Sequence, residues 1–218
     1  ILIFLLILLN FSTVCADDVD NEGEFENTVE VTASSVTALP KTNSRRYIVY
    51  DRISKSMIIG KNEDVKSAMA STTKIMTTIV ILEKSDLDET VTVSAKAGGT
   101  GGSRLGLKRG DKASVKDLLY GLMLRSGNDA AVALAEHVGG SVKEFAELMN
   151  EKAIELGLTN THFVTPHGLD DANHYTTALE LAKLTDYAMD NETFAKIVGT
   201  KSTTIYINNQ PVSYTHQT

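Results

Sequence analysis

The chain has 218 residues, 42% of them hydrophobic and 22% charged, and carries a formal net charge of -7. Seven acids with no base among them fall between Asp17 and Glu30. That leaves 21 acids against 21 bases elsewhere, and no overall basic balance of the kind nucleic-acid binding requires. The single cysteine, Cys15, excludes an intrachain disulfide, so an exported domain would have to be held together by its core.

Ile1–Leu9 is an unbroken apolar run, followed by Val14-Cys15-Ala16 and the acidic Asp17-Asp18. About 20 residues are needed to cross a bilayer, so residues 1–16 read as a secretory signal cleaved after Ala16, which would remove Cys15. Lipid attachment at Cys15 is the alternative, and Val14 directly before it fits that processing poorly. Neither Met nor a basic segment precedes Ile1, so the sequence is expected to begin inside a longer leader. Residues 17–42 are acidic, rich in Thr and Ser and poor in aromatics, which reads as a disordered linker. Residues 43–218, roughly 175 in number, suffice for one domain burying about 70% of its unfolded surface.

Within that domain, Tyr47–Tyr50 and Met57–Ile59 predict an antiparallel hairpin. Ala70–Lys84 predicts a helix whose second half is apolar on nearly every face and therefore interior. Glu89–Val93 reads as a strand, Gly98–Gly102 as a flexible turn and Ser103–Leu107 as a further strand. No Gly-Lys-Ser/Thr follows those glycines, which excludes a phosphate loop. Val115–Leu124 and Asp129–Val138 predict helices separated by Arg125-Ser126-Gly127-Asn128. Ser141–Glu144 and Thr177–Glu180 are capping boxes opening two more, the first ending at Gly157. Phe163–Asp171 lies between them as a loop, and Thr203–Ile207 returns to strand texture. The five histidines form no metal-binding pair by spacing, so neither metal nor cofactor is expected.

Two short patterns carry chemistry. Ser71-x-x-Lys74 puts a hydroxyl and an amine on one helix face, and a lysine whose pKa is lowered by burial can take the serine proton. At a helix start the free amides could also stabilise an oxyanion. The plain alternative is an N-capping Ser71 and a surface lysine, but Lys74 opens a helix too apolar for the surface, where an unpaired lysine would be costly. Ser126-Gly127-Asn128 sits between two helices, where Ser126 could relay a proton and Asn128 could hold both Lys74 and substrate. Taken alone it is also an ordinary turn.

Together with Thr165-Pro166-His167-Gly168-Leu169-Asp170, these segments resemble, in order and spacing, the low-molecular-weight D-alanyl-D-alanine carboxypeptidases among the penicillin-binding proteins. The resemblance runs from about Arg45 to the end of the chain. It implies an α/β class domain of the α+β type, the penicillin-binding/β-lactamase-like transpeptidase fold, with helices packed on an antiparallel sheet. It implies Ser71 as acylated nucleophile, Lys74 as general base, Ser126 as proton relay and Asn128 as the residue positioning lysine and substrate. His167-Gly168-Leu169 is a family landmark beside the site without an implied catalytic role. The implied partners are a peptidoglycan stem peptide ending in D-Ala-D-Ala and β-lactam antibiotics, met outside the cytoplasmic membrane.

No Lys-Thr-Gly follows Asn128. The family places that triplet on a strand beside the nucleophile and adds a C-terminal β-rich domain and an amphipathic membrane anchor. The chain is therefore expected to stop before that strand and to be inactive alone, with membrane association dependent on an anchor it does not contain. Two rivals remain: a class A β-lactamase, which should show an E-x-x-L-N type pattern that the 161–168 stretch lacks, and a non-catalytic wall-binding protein of the same fold.

Overall fold

The computed structural model of the protein describes residues 42–169 and 171–215. The expectations on the signal sequence, on Cys15 and on nearly all of the acidic linker lie outside the described residues, as does His216.

β1 (Tyr47–Asp51) and β2 (Ser56–Lys61) form the expected antiparallel hairpin, with a register shift between Val49 and Tyr50. Its turn is closed by Asp51, whose carboxylate accepts the amides of Ile53 and Ser54 and the Ser54 hydroxyl. A 3-10 turn at Ala70–Thr73 then leads into α1 (Lys74–Lys84), where Met76, Ile79, Val80 and Ile81 are buried. The apolar texture of α1 thus has its structural counterpart. The helix packs against five others: α3 (Val115–Arg125), α4 (Asn128–Gly139), α5 (Val142–Glu155), α6 (Ala178–Met189) and α7 (Glu192–Val198). An interior helix surrounded in this way can place a polar side chain where water does not reach.

The caps expected at Ser141 and Thr177 are in place, and Ser114 supplies a third. Ser114, Ser141 and Thr177 accept the amides of Asp117, Glu144 and Glu180, each cap contributing on the order of 1 kcal/mol. Glu180 differs from a simple capping box. Its carboxylate takes the amide of Asn160 and the Thr161 hydroxyl, which fastens the start of α6 to the loop after α5.

The remaining strands are β3 (Thr90–Thr92) with β4 (Lys112–Ser114), and β5 (Ser202–Ile207) with β6 (Gln210–Thr215). The α+β class is as expected, and among the described residues the strands form three two-stranded antiparallel sheets. A short helix, α2 (Ala95–Gly98), precedes the glycine-rich turn. Ser103–Leu107, expected as a strand, is not one. Its amides are taken by a side chain of α4 instead of by a neighbouring strand.

Candidate active site

Ser71 lies in the 3-10 turn before α1, and the residue ahead of it, Ala70, has φ 46°. A left-handed backbone at a non-glycine residue costs about 1 kcal/mol or more and persists only when its surroundings hold it. Two neighbours do so here. Thr73 Oγ1 donates to the Ala70 carbonyl at 2.8 Å. Gly168, at φ 81°, lies flat against the same carbonyl, so close that a Cβ there would sit 1.8 Å from the oxygen.

Ser71 does not cap α1, whose first amides receive no side-chain cap. Its Oγ instead accepts from Lys74 Nζ at 3.1 Å and from Ser126 Oγ at 2.8 Å. Lys74 is only 2% exposed. Its other bonds go to Asn128 Oδ1 at 2.8 Å and the His167 carbonyl at 3.1 Å, so three donors meet three neutral acceptors. Burial without a charge partner in that set holds the Lys74 pKa down to about 8. About a tenth of such an amine is neutral at pH 7, against roughly one part in 2,500 at its ordinary value near 10.4.

The second motif comes from the junction of α3 and α4. Ser126 ends α3 in the left-handed region, at φ 55° and ψ 37°, which swings its hydroxyl out toward Ser71. Asn128, the first residue of α4, holds Lys74 with its amide oxygen, while its Nδ2 donates to the Gly101 carbonyl at 2.8 Å and its backbone amide to Ser103. The two sequence patterns are brought together in space: Ser71, Lys74, Ser126 and Asn128 form one connected hydrogen-bond network.

Two contributors escape a reading by motif. Asp129 is fully buried, and its carboxylate accepts the amides of Leu105, Gly106, Leu107 and Ala130 at 2.9–3.0 Å. It thereby pins the 103–107 segment to α4, which is why that segment makes no strand, and the adjoining Gly101 carbonyl orients Asn128. His174 is buried under the 3-10 turn, with Nε2 2.7 Å from Thr73 Oγ1 and Nδ1 accepting the Val164 amide at 2.9 Å. An acid at the head of the apolar run Ala130–Ala135 was the one sequence signal for Asp129. His174 had none beyond its identity.

His167 contributes its backbone. Burial first, and then the nearby Lys74 charge, hold its ring down to about 4, so the imidazole is neutral and its Nδ1 accepts the Leu169 amide at 3.2 Å. Thr77 Oγ1 donates to the Pro166 carbonyl at 2.7 Å, fixing the same loop to α1. Among the described residues no cluster of three or more His, Cys, Asp or Glu is placed to hold a metal, and no helix is long and apolar enough to cross a membrane.

This fold is that of the penicillin-binding DD-peptidases. A D-alanyl-D-alanine carboxypeptidase from Mycobacterium tuberculosis superposes with a TM-score of 0.80 at 34% identity, over 85% of this chain and 70% of its own. Penicillin binding protein 6B from Escherichia coli gives 0.75 at 32%, over 83% and 60%. A D-alanyl-D-alanine carboxypeptidase of Bacillus subtilis, DacF, is 39% identical over 158 residues, 70% of this chain and 41% of the relative. The Escherichia coli enzyme DacC is 41% identical over 163 residues, again 70% and 41%. The chain thus spans about two fifths of the length of these curated relatives. The family model for D-alanyl-D-alanine carboxypeptidase, Peptidase_S11, matches residues 31–218, and the chain belongs to that family.

Proposed function

We propose that this chain carries the acylation machinery of a serine-type D-Ala-D-Ala carboxypeptidase that trims peptidoglycan stem peptides outside the cytoplasmic membrane. The observation that carries the reading is Lys74: a buried amine ringed by neutral acceptors, with its Nζ on the Ser71 hydroxyl. A lysine in that setting gives up its proton near neutral pH, and the freed lone pair faces the hydroxyl it is to deprotonate.

In this scheme Lys74 Nζ takes the Ser71 proton as Oγ bonds to the penultimate D-Ala carbonyl carbon. The tetrahedral oxyanion collapses, the C–N bond breaks, and the Lys74 proton passes through the Ser126 hydroxyl to the departing D-Ala amine. Water then adds to the acyl ester and regenerates Ser71. Asn128 keeps Lys74 aimed throughout. A β-lactam would acylate the same oxygen by opening its ring. Residues 1–16 as a cleaved signal, 17–42 as a spacer and 43–218 as the catalytic domain complete the proposal.

The test is labelling of the full-length protein with a fluorescent penicillin. The adduct should map to Ser71 by peptide mass spectrometry and vanish in Ser71→Ala, and the labelling rate should rise with pH around 8 as Lys74 loses its proton. An adduct on Ser126, or none at all, would reject the reading, the latter in favour of a non-catalytic protein of the same fold.

A further inference from the structure

We infer that His174 is a positioning residue for acylation, acting through Thr73 on the turn that carries Ser71; this rests on the reading of Ser71 as nucleophile. His174 belongs to neither sequence motif, and its ring does not touch Ser71 or Lys74 through any of its hydrogen bonds described above. It is 2% exposed, its ring edge-on to Phe163 with centroids 5.8 Å apart, and its backbone amide donates to the Asp171 carbonyl. The ring cannot drift, and both of its nitrogens are engaged.

Those engagements define a direction. Nδ1 accepts the Val164 amide at 2.9 Å, with the Thr165 amide further off at 3.4 Å. The proton of the neutral ring therefore sits on Nε2, an assignment made from the hydrogen bonds. Nε2–H then donates to Thr73 Oγ1 at 2.7 Å, and Thr73, its lone pair so occupied, donates its own proton to the Ala70 carbonyl at 2.8 Å. The chain of bonds runs in one sense from the Val164 amide to the strained peptide immediately before the nucleophile. Each bond fixes the polarity of the next, as cooperative networks do.

Its two ends matter equally. At one end, Ala70 is left-handed, and rotation of its peptide would carry Ser71 Oγ away from Lys74 Nζ and Ser126 Oγ. At the other, Val164 and Thr165 lead directly into the Pro166 and His167 carbonyls, which hold Thr77 and Lys74 of α1. His174 thus bridges the segment presenting the nucleophile to the segment presenting an acceptor for its base. A change of about 1 Å in such a pair can lower a rate by on the order of 10²-fold.

The experiment compares two conservative variants of the full-length protein, each removing one of the two bonds. His174→Asn keeps an acceptor near the Nδ1 position for the Val164 amide but gives up the donor to Thr73. His174→Gln places an amide nitrogen near Nε2 and keeps the donor to Thr73. Both should lower the unfolding midpoint by similar amounts. Penicillin acylation of Ser71 should slow by about 10- to 100-fold in Asn and stay within about threefold in Gln. Thr73→Val, which retains the histidine, should match the Asn variant, and the Thr73→Val/His174→Asn double variant should be no slower than either alone. Equal slowing by Asn and Gln, normal rates in both, or additive losses in the double variant would overturn the inference. Should Asn fail to fold, a normal rate in Thr73→Val overturns it and a slowed rate supports it. A wild-type protein that does not acylate at Ser71 would instead reject the catalytic reading, and this inference with it.

Discussion

α1 meets a buried lysine at its head and a partly buried one near its tail, and the two lysines are opposites. At the head, Lys74 has a serine, an asparagine and a backbone carbonyl around it, and burial pulls its pKa down to about 8. Near the tail, the Lys152 side chain is 11% exposed and bonds Glu83 and Glu155 at 2.7 Å each, beside the Tyr187 ring. Burial would lower Lys152 as well, but the hydrogen bonds it donates to Glu155 and Glu83 and the Glu83 charge outweigh it and push its pKa up. Tyr187 completes that cluster by donating to Glu83. Partner charge, more than burial, therefore decides whether a lysine here is held charged as a staple between helices or brought toward neutrality.

That contrast breaks first at Lys74. Lys74→Met should lower penicillin acylation by about 10²- to 10⁴-fold, the range associated with loss of a general base. Its effect on stability carries a pH signature. The folded-state pKa is depressed, so between about 8 and 10.5 the unfolded chain holds a proton that the folded one has lost, and wild-type stability rises with pH across that window. The unfolding free energy of wild type minus Lys74→Met should climb there by up to about 3 kcal/mol. A flat difference measured by urea denaturation would mean that Lys74 is not held low.

Lys152→Met should do the reverse. It takes the cation away from Glu83 and Glu155 and leaves Glu83 only the Tyr187 hydroxyl, so stability at pH 7 should fall by about 1–2 kcal/mol, discounted for the exposure of both acids, while acylation of Ser71 keeps its wild-type rate. Loss of labelling in parallel with stability would show that the tail cluster also shapes the site. The smallest effect is expected from His167→Ala. The group on Lys74 is a backbone carbonyl, and the side chain gives only the Leu169 amide a partner, so acylation should change by about threefold or less, the scale of one net hydrogen bond. A hundredfold loss measured by stopped-flow labelling would give the imidazole a direct role.

The legible parts of this molecule are those in which the determining residues are close in sequence. Ser71 and Lys74 are three apart and meet across one turn, and the caps at Ser141 and Thr177 act on amides three residues on. Ser126 and Asn128 could be assigned to a turn facing the site because two helical patterns bracket them. Ser103–Leu107 was illegible for the opposite reason. Its alternation suits a strand, yet its amides go to Asp129, more than 20 residues away, which no local pattern encodes. His174 is of the same kind, since its partner Thr73 lies 101 residues earlier. The 3-10 character of residues 70–73 was also hidden, because it follows from the left-handed Ala70 and the loop pressed against it.

The left-handed residues Ala70 and Ser126 bear on how the site comes into being. Neither is a glycine, so an unfolded chain visits these conformations rarely, and neither turn is expected to form from local preference alone. Ala70 is held by Thr73 and by Gly168, whereas the Ser126 hydroxyl finds Ser71 55 residues earlier in the chain. Both therefore await the docking of α1 against α3, α4 and the 163–169 loop. The Ser126–Ser71–Lys74 contacts are thus late events in assembly, and on the proposed reading penicillin labelling would report completed tertiary structure, which a chain with native helices but undocked packing would lack.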